Sequence, residues 1–177
     1  MGFGLCAFGC AFLLLEEMGL NLIGYLLMGL GFLRVSRVLR GNCGRGYFAA
    51  AVLSFALVAA GTLDLYLFFT ALGLPNPPEA LVRVGMAYTA LLFTAFSFAH
   101  CGETARIARL GGGRKLERRA KGTMYITAFY NALVLAATFI GANKTLAFAV
   151  IFGKYTVVIV NLLFLFSCYT TITTQES

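Results

Sequence analysis

Five long apolar stretches, at about residues 3–33, 47–74, 81–101, 123–141 and 145–171, leave this chain few ways to fold. Each holds enough residues to cross ~30 Å of hydrocarbon as a helix rising ~1.5 Å per residue. The breaks between them are abrupt. "GNCGRG" at 41–46 is a glycine-rich turn. "LPNPPE" at 74–79 is broken by prolines, which remove amide donors and exclude helix from the residue before them. "GGG" at 111–113 interrupts a basic stretch, and "GANK" at 141–144 reads as a tight turn. These connections are short, with no soluble domain among them. The whole of 1–177 therefore reads as a single membrane domain, an all-α bundle of about five transmembrane helices.

Composition agrees. Hydrophobic residues make up 60% of the chain and charged residues 12%, against about 45–50% and about 25% in a soluble domain. The apolar excess has to face lipid. The opening "MGFGLCAFGC" has no basic region before its apolar run, so it does not read as a removable signal peptide.

The net charge of +7 would suggest a nucleic-acid partner in a soluble protein. Here most of the basic residues gather in two connections, the others holding little beyond Arg83 and Lys144, and no separate basic domain exists, so no nucleic-acid role is expected. Arg34, Arg37, Arg40 and Arg45 fill the first connection. Arg106, Arg109, Arg114, Lys115, Arg118, Arg119 and Lys121 fill the third. Short loops rich in Lys and Arg stay cytoplasmic. That orientation puts the N-terminus outside, both basic connections inside, and the C-terminus in the cytoplasm of a bacterial-type plasma membrane. Glu103 with Arg106 and Glu117 with Lys121 have the spacing of helix-stabilising pairs, so the third connection reads as a helical hairpin rising from the membrane. Its surface, with Arg34 and Arg37, suits anionic lipid headgroups.

The first apolar segment is too long for its task. Its 31 residues would make a rod of roughly 46 Å, more than tilt fits into ~30 Å. Residues 1–13 must lie along the interface, bend back, or pack against other helices. Within the segment, Cys6, Cys10, Glu17, Asn21, Gly24, Met28 and Gly31 fall on one narrow stripe at 100° per residue. Small and polar groups in a membrane helix turn toward other helices, since lipid offers them no partner. The fifth segment carries a matching stripe, Ala147, Lys154, Asn161 and Cys168. Asp64 and Arg83 come out at the depth of Glu17. The expectation is a cluster of Glu17, Asp64, Arg83 and Lys154 in the outer third of the bilayer, with Asn21 facing Asn161. Asn131, Tyr130 and Tyr125 would extend a polar path inward, the tyrosines serving equally as an interfacial belt.

Catalytic signatures are missing: no nucleophile elbow, Walker loop or HExxH stands in the sequence. Five cysteines with no C-x-x-C pair argue against a disulfide framework and a zinc ribbon. His100, Cys101 and Glu103 would need Cys43 or Cys168 to complete a metal site, and their spacing matches no standard one. Neither a metal nor a cofactor is expected. Two readings of function stay open. The first, preferred on sequence, is a non-catalytic membrane subunit or scaffold that packs against itself or other membrane proteins. The small-residue spacings Ala56/Ala60, Ala95/Ala99 and Ala137/Gly141 suit it. The second is a small transporter or membrane sensor that uses the ionisable cluster. On either reading, cysteine labelling from outside the cell should reach a probe at position 76 and miss one at position 112; the reverse pattern overturns the orientation.

Overall fold

The first apolar segment does not form one helix. In the computed structural model it folds into α1 (Gly2–Phe12), a 3-10 stretch (Leu13–Met18) and α2 (Asn21–Val38). The structure describes residues 2–39, 44–71, 75, 77–140 and 144–173, except the side chains of residues 16, 17, 68, 71, 172 and 173. The break has local causes. Leu15, inside the 3-10 stretch, has φ −104 and ψ 25, outside the helical region. Gly19 then takes φ +70, a left-handed value that glycine adopts without steric cost. The two turns reverse the chain, and α1 lies antiparallel along α2.

Glycine makes that reversal stable. A Cβ on Gly9 would stand 2.7 Å from the carbonyl oxygen of Gly24, and one on Gly24 would stand 2.7 Å from the carbonyl oxygen of Gly9. One turn pair away, Gly2 and Gly31 approach in the same reciprocal manner, with the Cys6 thiol filling the space beside Gly31. Both helices thus carry glycines seven residues apart on the touching face. Backbones brought this close gain van der Waals contact, which drives helix association where lipid removes the hydrophobic force. The predicted stripe of Cys6, Cys10, Asn21, Gly24, Met28 and Gly31 is therefore buried, but folded onto itself.

Four longer helices complete the chain: α3 (Arg45–Ala71), α4 (Glu79–Leu110), α5 (Arg114–Ile140) and α6 (Lys144–Thr173). Among the described residues, four helices are long and apolar enough to cross a membrane, Arg45–Leu67, Glu79–Leu110, Arg114–Ile140 and Lys144–Thr171. The chain is an all-α membrane protein on this evidence. In the first apolar segment the 18-residue α2 is accompanied by α1, which bends back along it, one of the placements expected for residues 1–13. Gly2 packs beside Val35, at the Arg34 and Arg37 end of α2, and Gly4 packs beside Tyr169 in the last turns of α6. The first turn of α1 and the last turns of α6 thus share the basic end of the bundle, whereas the sequence reading set the two termini on opposite faces.

Each helix packs on its neighbours in the chain, and α6 returns to pack on α1, which closes a ring. Side-chain hydrogen bonds clasp the interfaces. Ser54 Oγ donates to the Tyr25 carbonyl (3.0 Å) between α2 and α3, and the Tyr47 and Thr104 hydroxyls meet at 2.8 Å between α3 and α4. Asn131 Nδ2 donates to Thr94 Oγ1 (2.9 Å) between α4 and α5, and Asn161 Nδ2 donates to Thr127 Oγ1 (3.0 Å) between α5 and α6. Such bonds inside a membrane contribute about 0.6 kcal/mol each on average, so they set register more than they supply stability. At the basic end, α4 closes with Gly112 at φ +73, Gly113 N–H donating to the Ala108 carbonyl and Gly112 N–H to that of Arg109. This is the glycine C-cap with both of its bonds, and α5 starts immediately after it.

The two halves of the ring differ. In the basic half, Phe3, Phe32, Tyr47, Phe96, His100 and Phe164 pack ring on ring at centroid distances of 4.6 to 6.5 Å. α1 supplies Phe3 and the thiols of Cys6 and Cys10 to that core. At 11 residues α1 reaches only ~16 Å, whereas the 27 to 32 residues of α3 to α6 reach ~40 Å or more. It fills the ring at one end and stops.

The glycine contacts generate a test with a built-in control. Gly24→Val places its side chain against the Gly9 backbone and should lower thermal stability in detergent by about 1–3 kcal/mol. Gly102→Ala and Gly122→Ala, where a Cβ meets nothing within 4 Å, should raise it by about 0.5–1 kcal/mol. Equal melting temperatures for all three would rule out the hairpin packing.

Candidate functional site

Where α1 ends, a cavity begins. It has a volume of about 310 Å³ and is walled by α3, α4, α5 and α6, with Leu13 at the end of α1 and Tyr25 of α2 closing one side. Its apolar surface comes from residues such as Leu63, Met86, Phe93, Val134, Ile151 and Val157. Five further residues with polar side chains line it: Asp64, Thr89, Tyr130, Asn131 and Lys154. A small, mostly apolar chamber with a few converging polar groups is the usual form of a ligand site.

The polar groups are held by bonds that fix their roles. Asn21 Oδ1 accepts the N–H of Leu22 at 2.9 Å, which orients the amide so that Nδ2 donates to Asp64 Oδ2. Asp64 is thereby positioned from α2 while it lines the chamber from α3. Asn131 directs one N–H to Thr94, which leaves its carbonyl oxygen and its second N–H to meet a ligand. The Thr89 hydroxyl donates to the Gly85 carbonyl at 2.9 Å and retains only acceptor capacity toward the cavity. Three walls, from α3, α4 and α5, thus present acceptors. Across the ring, α6 presents the ammonium of Lys154, with the Tyr155 ring centroid 5.7 Å from its Nζ. Lys154 is the tenth residue after Lys144, which places it ~15 Å along α6. The distal end of the bundle is therefore where the opposite charges meet a hollow interior.

The structure distributes the residues of the expected cluster as follows. Asp64 and Lys154 share the cavity, and Asn21 reaches it through Asp64. Arg83 does not join them: it is exposed and pairs with Glu79 at 2.6 Å on the outside of α4. Its position one turn into α4 explains this, because an i,i+4 carboxylate was closer than the ring interior. Asn161 does not face Asn21 either. It is buried against Thr127 and the Val157 carbonyl (2.9 Å), since α6 packs on α1 and α5 and not on α2. Its Oδ1 has no hydrogen-bond partner among the described residues. The side chains of Glu16 and Glu17 lie outside the described residues, as do Arg40, Cys43 and Gly141. Thr89 and Thr94 were not anticipated, because threonines in an apolar helix carry no signal of which face is buried.

His100 has a structural environment. The Phe96 carbonyl 2.8 Å away can only accept, so Nδ1 carries the proton. Nε2 is then free to accept from the Cys101 thiol at 3.3 Å. Both ring nitrogens are satisfied within the core. Among the described residues, no three His, Cys, Asp or Glu side chains come together to hold a metal ion.

The basic residues gather at the other end. Glu103 pairs with Arg106 (2.6 Å), and Glu117 pairs with both Arg109 (2.9 Å) and Lys121 (2.8 Å). The helical hairpin expected between the third and fourth apolar segments is present. Arg119 donates to Ser167 of α6 at 2.8 Å. Arg114, Lys115 and Arg118 are exposed and take part in none of the ion pairs found among the described residues. Arg34 and Arg37 are exposed at the same end.

No family model, curated protein or solved structure matches this chain, so its function has to be argued from its own geometry.

Proposed function

We propose that this protein binds a small solute within the membrane and serves as a small transporter or sensor for it. The observation that carries this reading is the cavity of about 310 Å³ at the point where α1 stops, with Asp64 and Lys154 in its wall. Ionisable groups at membrane depth are expensive, and they mark solute or ion paths more often than lipid contacts. The alternative, a scaffold that works through its outer helix faces, gives no account of why the ring is left hollow at the level of its charges. In the orientation set by the basic connections, the α4–α5 hairpin is cytoplasmic and the cavity lies in the outer half of a bacterial-type plasma membrane. α1 then enters from the cytoplasmic end.

Filling the cavity is the direct test. Ala90 is buried in its wall. Ala90→Phe should occupy the space, keep or raise the melting temperature of the purified protein, and abolish the thermal shift caused by any solute found in a screen of small polar metabolites. A solute whose shift survives Ala90→Phe, or a screen with no shift at all, counts against the cavity as the site.

A specific observation supports a second, compatible activity. Arg114, Lys115 and Arg118, in none of the ion pairs among the described residues, expose cationic groups at the start of α5, at the same end of the bundle as Arg34 and Arg37, and these suit anionic headgroups. Each basic residue near such a surface contributes about 1 kcal/mol. Replacing Arg114, Lys115, Arg118 and Arg119 by Gln should weaken retention of anionic lipid in nanodiscs and remove its salt dependence. Retention unchanged by the four substitutions would leave these residues merely solvated.

A further inference from the structure

The polar groups of the cavity narrow the kind of solute, an inference that rests on the binding role proposed above. The acceptor side has three members on three different helices: the Asp64 carboxylate, the Asn131 carbonyl oxygen and the Thr89 hydroxyl oxygen. The Thr89 donor is committed to the Gly85 carbonyl and one Asn131 N–H to Thr94, while Asn21 holds the carboxylate in place. A wall of acceptors around a negative charge recognises a cation rich in N–H donors, and a primary ammonium has three. Opposite it stands Lys154, a point charge with three donors and no acceptor. In the ring order, α3 with Asp64 and α6 with Lys154 occupy opposite positions, each separated from the other by two helices on either side.

A ligand that satisfies both ends carries an ammonium and a carboxylate, and the rest of the lining asks for an apolar body. We infer that the cavity binds a small zwitterion of the amino-acid type with an apolar side chain. Its ammonium is held by Asp64, Thr89 and Asn131, its carboxylate by Lys154, and its side chain lies against the surface formed by Leu63, Met86, Phe93 and Val134. Asp64 and Lys154 need no vacancy for this. A zwitterion's ammonium offers Asp64, and its carboxylate offers Lys154, a partner of opposite charge in exchange for the contacts both side chains already make. It also enters a low-dielectric site without adding net charge, which a simple amine or acid of the same size cannot do. The volume of about 310 Å³ is at the small end of ligand pockets and suits a single residue-sized molecule.

Four matched probes separate the outcomes: phenylalanine, phenethylamine, 3-phenylpropionate and ethylbenzene, each titrated by thermal shift against the full chain in detergent and in nanodiscs. Phenylalanine should bind about tenfold or more tighter than phenethylamine or phenylpropionate, the factor expected for one charge-assisted hydrogen-bonded contact at each end. Lys154→Gln should erase the advantage of phenylalanine over phenethylamine and leave phenethylamine unaffected or tighter. Asp64→Asn should erase its advantage over phenylpropionate. Thr89→Val, a milder change outside the charged pair, should weaken only the two amine-bearing probes, and it keeps the test open if either charge variant fails to fold. Phenethylamine binding as well as phenylalanine, or ethylbenzene binding as well as either, overturns the zwitterion while leaving the cavity as a ligand site. If no probe shifts the protein and Ala90→Phe changes nothing, both the zwitterion and the binding role fall.

Discussion

The close approach of α1 to α2 is the contact on which the remaining architecture depends. With Gly2 and Gly9 on one helix and Gly24 and Gly31 on the other, carbonyl oxygens take the places that side chains would hold. The chain therefore doubles back within the bundle and does not run straight through it. Three consequences follow from that single reversal. The start of the chain is carried to the basic end, beside Val35 and Tyr169. A short sixth member is inserted into the ring between α2 and α6. And because that member ends at Phe12, the interior is filled on one side of Leu13 and open on the other.

The two halves that result obey different physics. In the basic half, aromatic rings and small thiols interlock, and polar groups are satisfied locally: Tyr47 by Thr104, His100 by the Phe96 carbonyl and Cys101. In the distal half, the polar side chains are anchored with one function and directed into the hollow with another. Asn21 fixes Asp64, Thr94 fixes Asn131, and Gly85 fixes Thr89. A low-dielectric chamber makes such oriented groups count for more than they would in water, and this is why a handful of them suffices to define a site.

The charged ends of the protein divide the labour in the same way. Acidic residues at the basic end neutralise part of the hairpin through Glu103 and Glu117, and the remaining cations stay at the surface where headgroups and water reach them. At the distal end, charge is taken inward on α3 and α6. The proposed binding role and the proposed lipid contact thus use opposite ends of one ring and place no conflicting demands on any residue.

Hydropathy by itself determined that this is a helical membrane bundle, since 31 to 19 consecutive apolar residues between Pro- and Gly-rich breaks have no other stable solution in lipid. It also determined which residues turn inward: the stripe through Cys6, Cys10, Asn21, Gly24 and Met28 follows from helix period, and burial of all five agrees. The i,i+3 and i,i+4 pairs of the basic hairpin were legible because they depend only on local geometry. What the stripe faces was not. A helix period is unchanged when the chain reverses at Leu15 and Gly19, so the same residues that suit a single long rod suit a hairpin packed on itself. Only the tertiary structure decided between them, through backbone contacts between residues about 15 to 30 positions apart. Partner choice followed from that. Asn21 meets Asp64, Asn161 meets Thr127, and Arg83 stays outside with Glu79, because neighbours in the ring are set by how helices pack and not by how deep each residue lies.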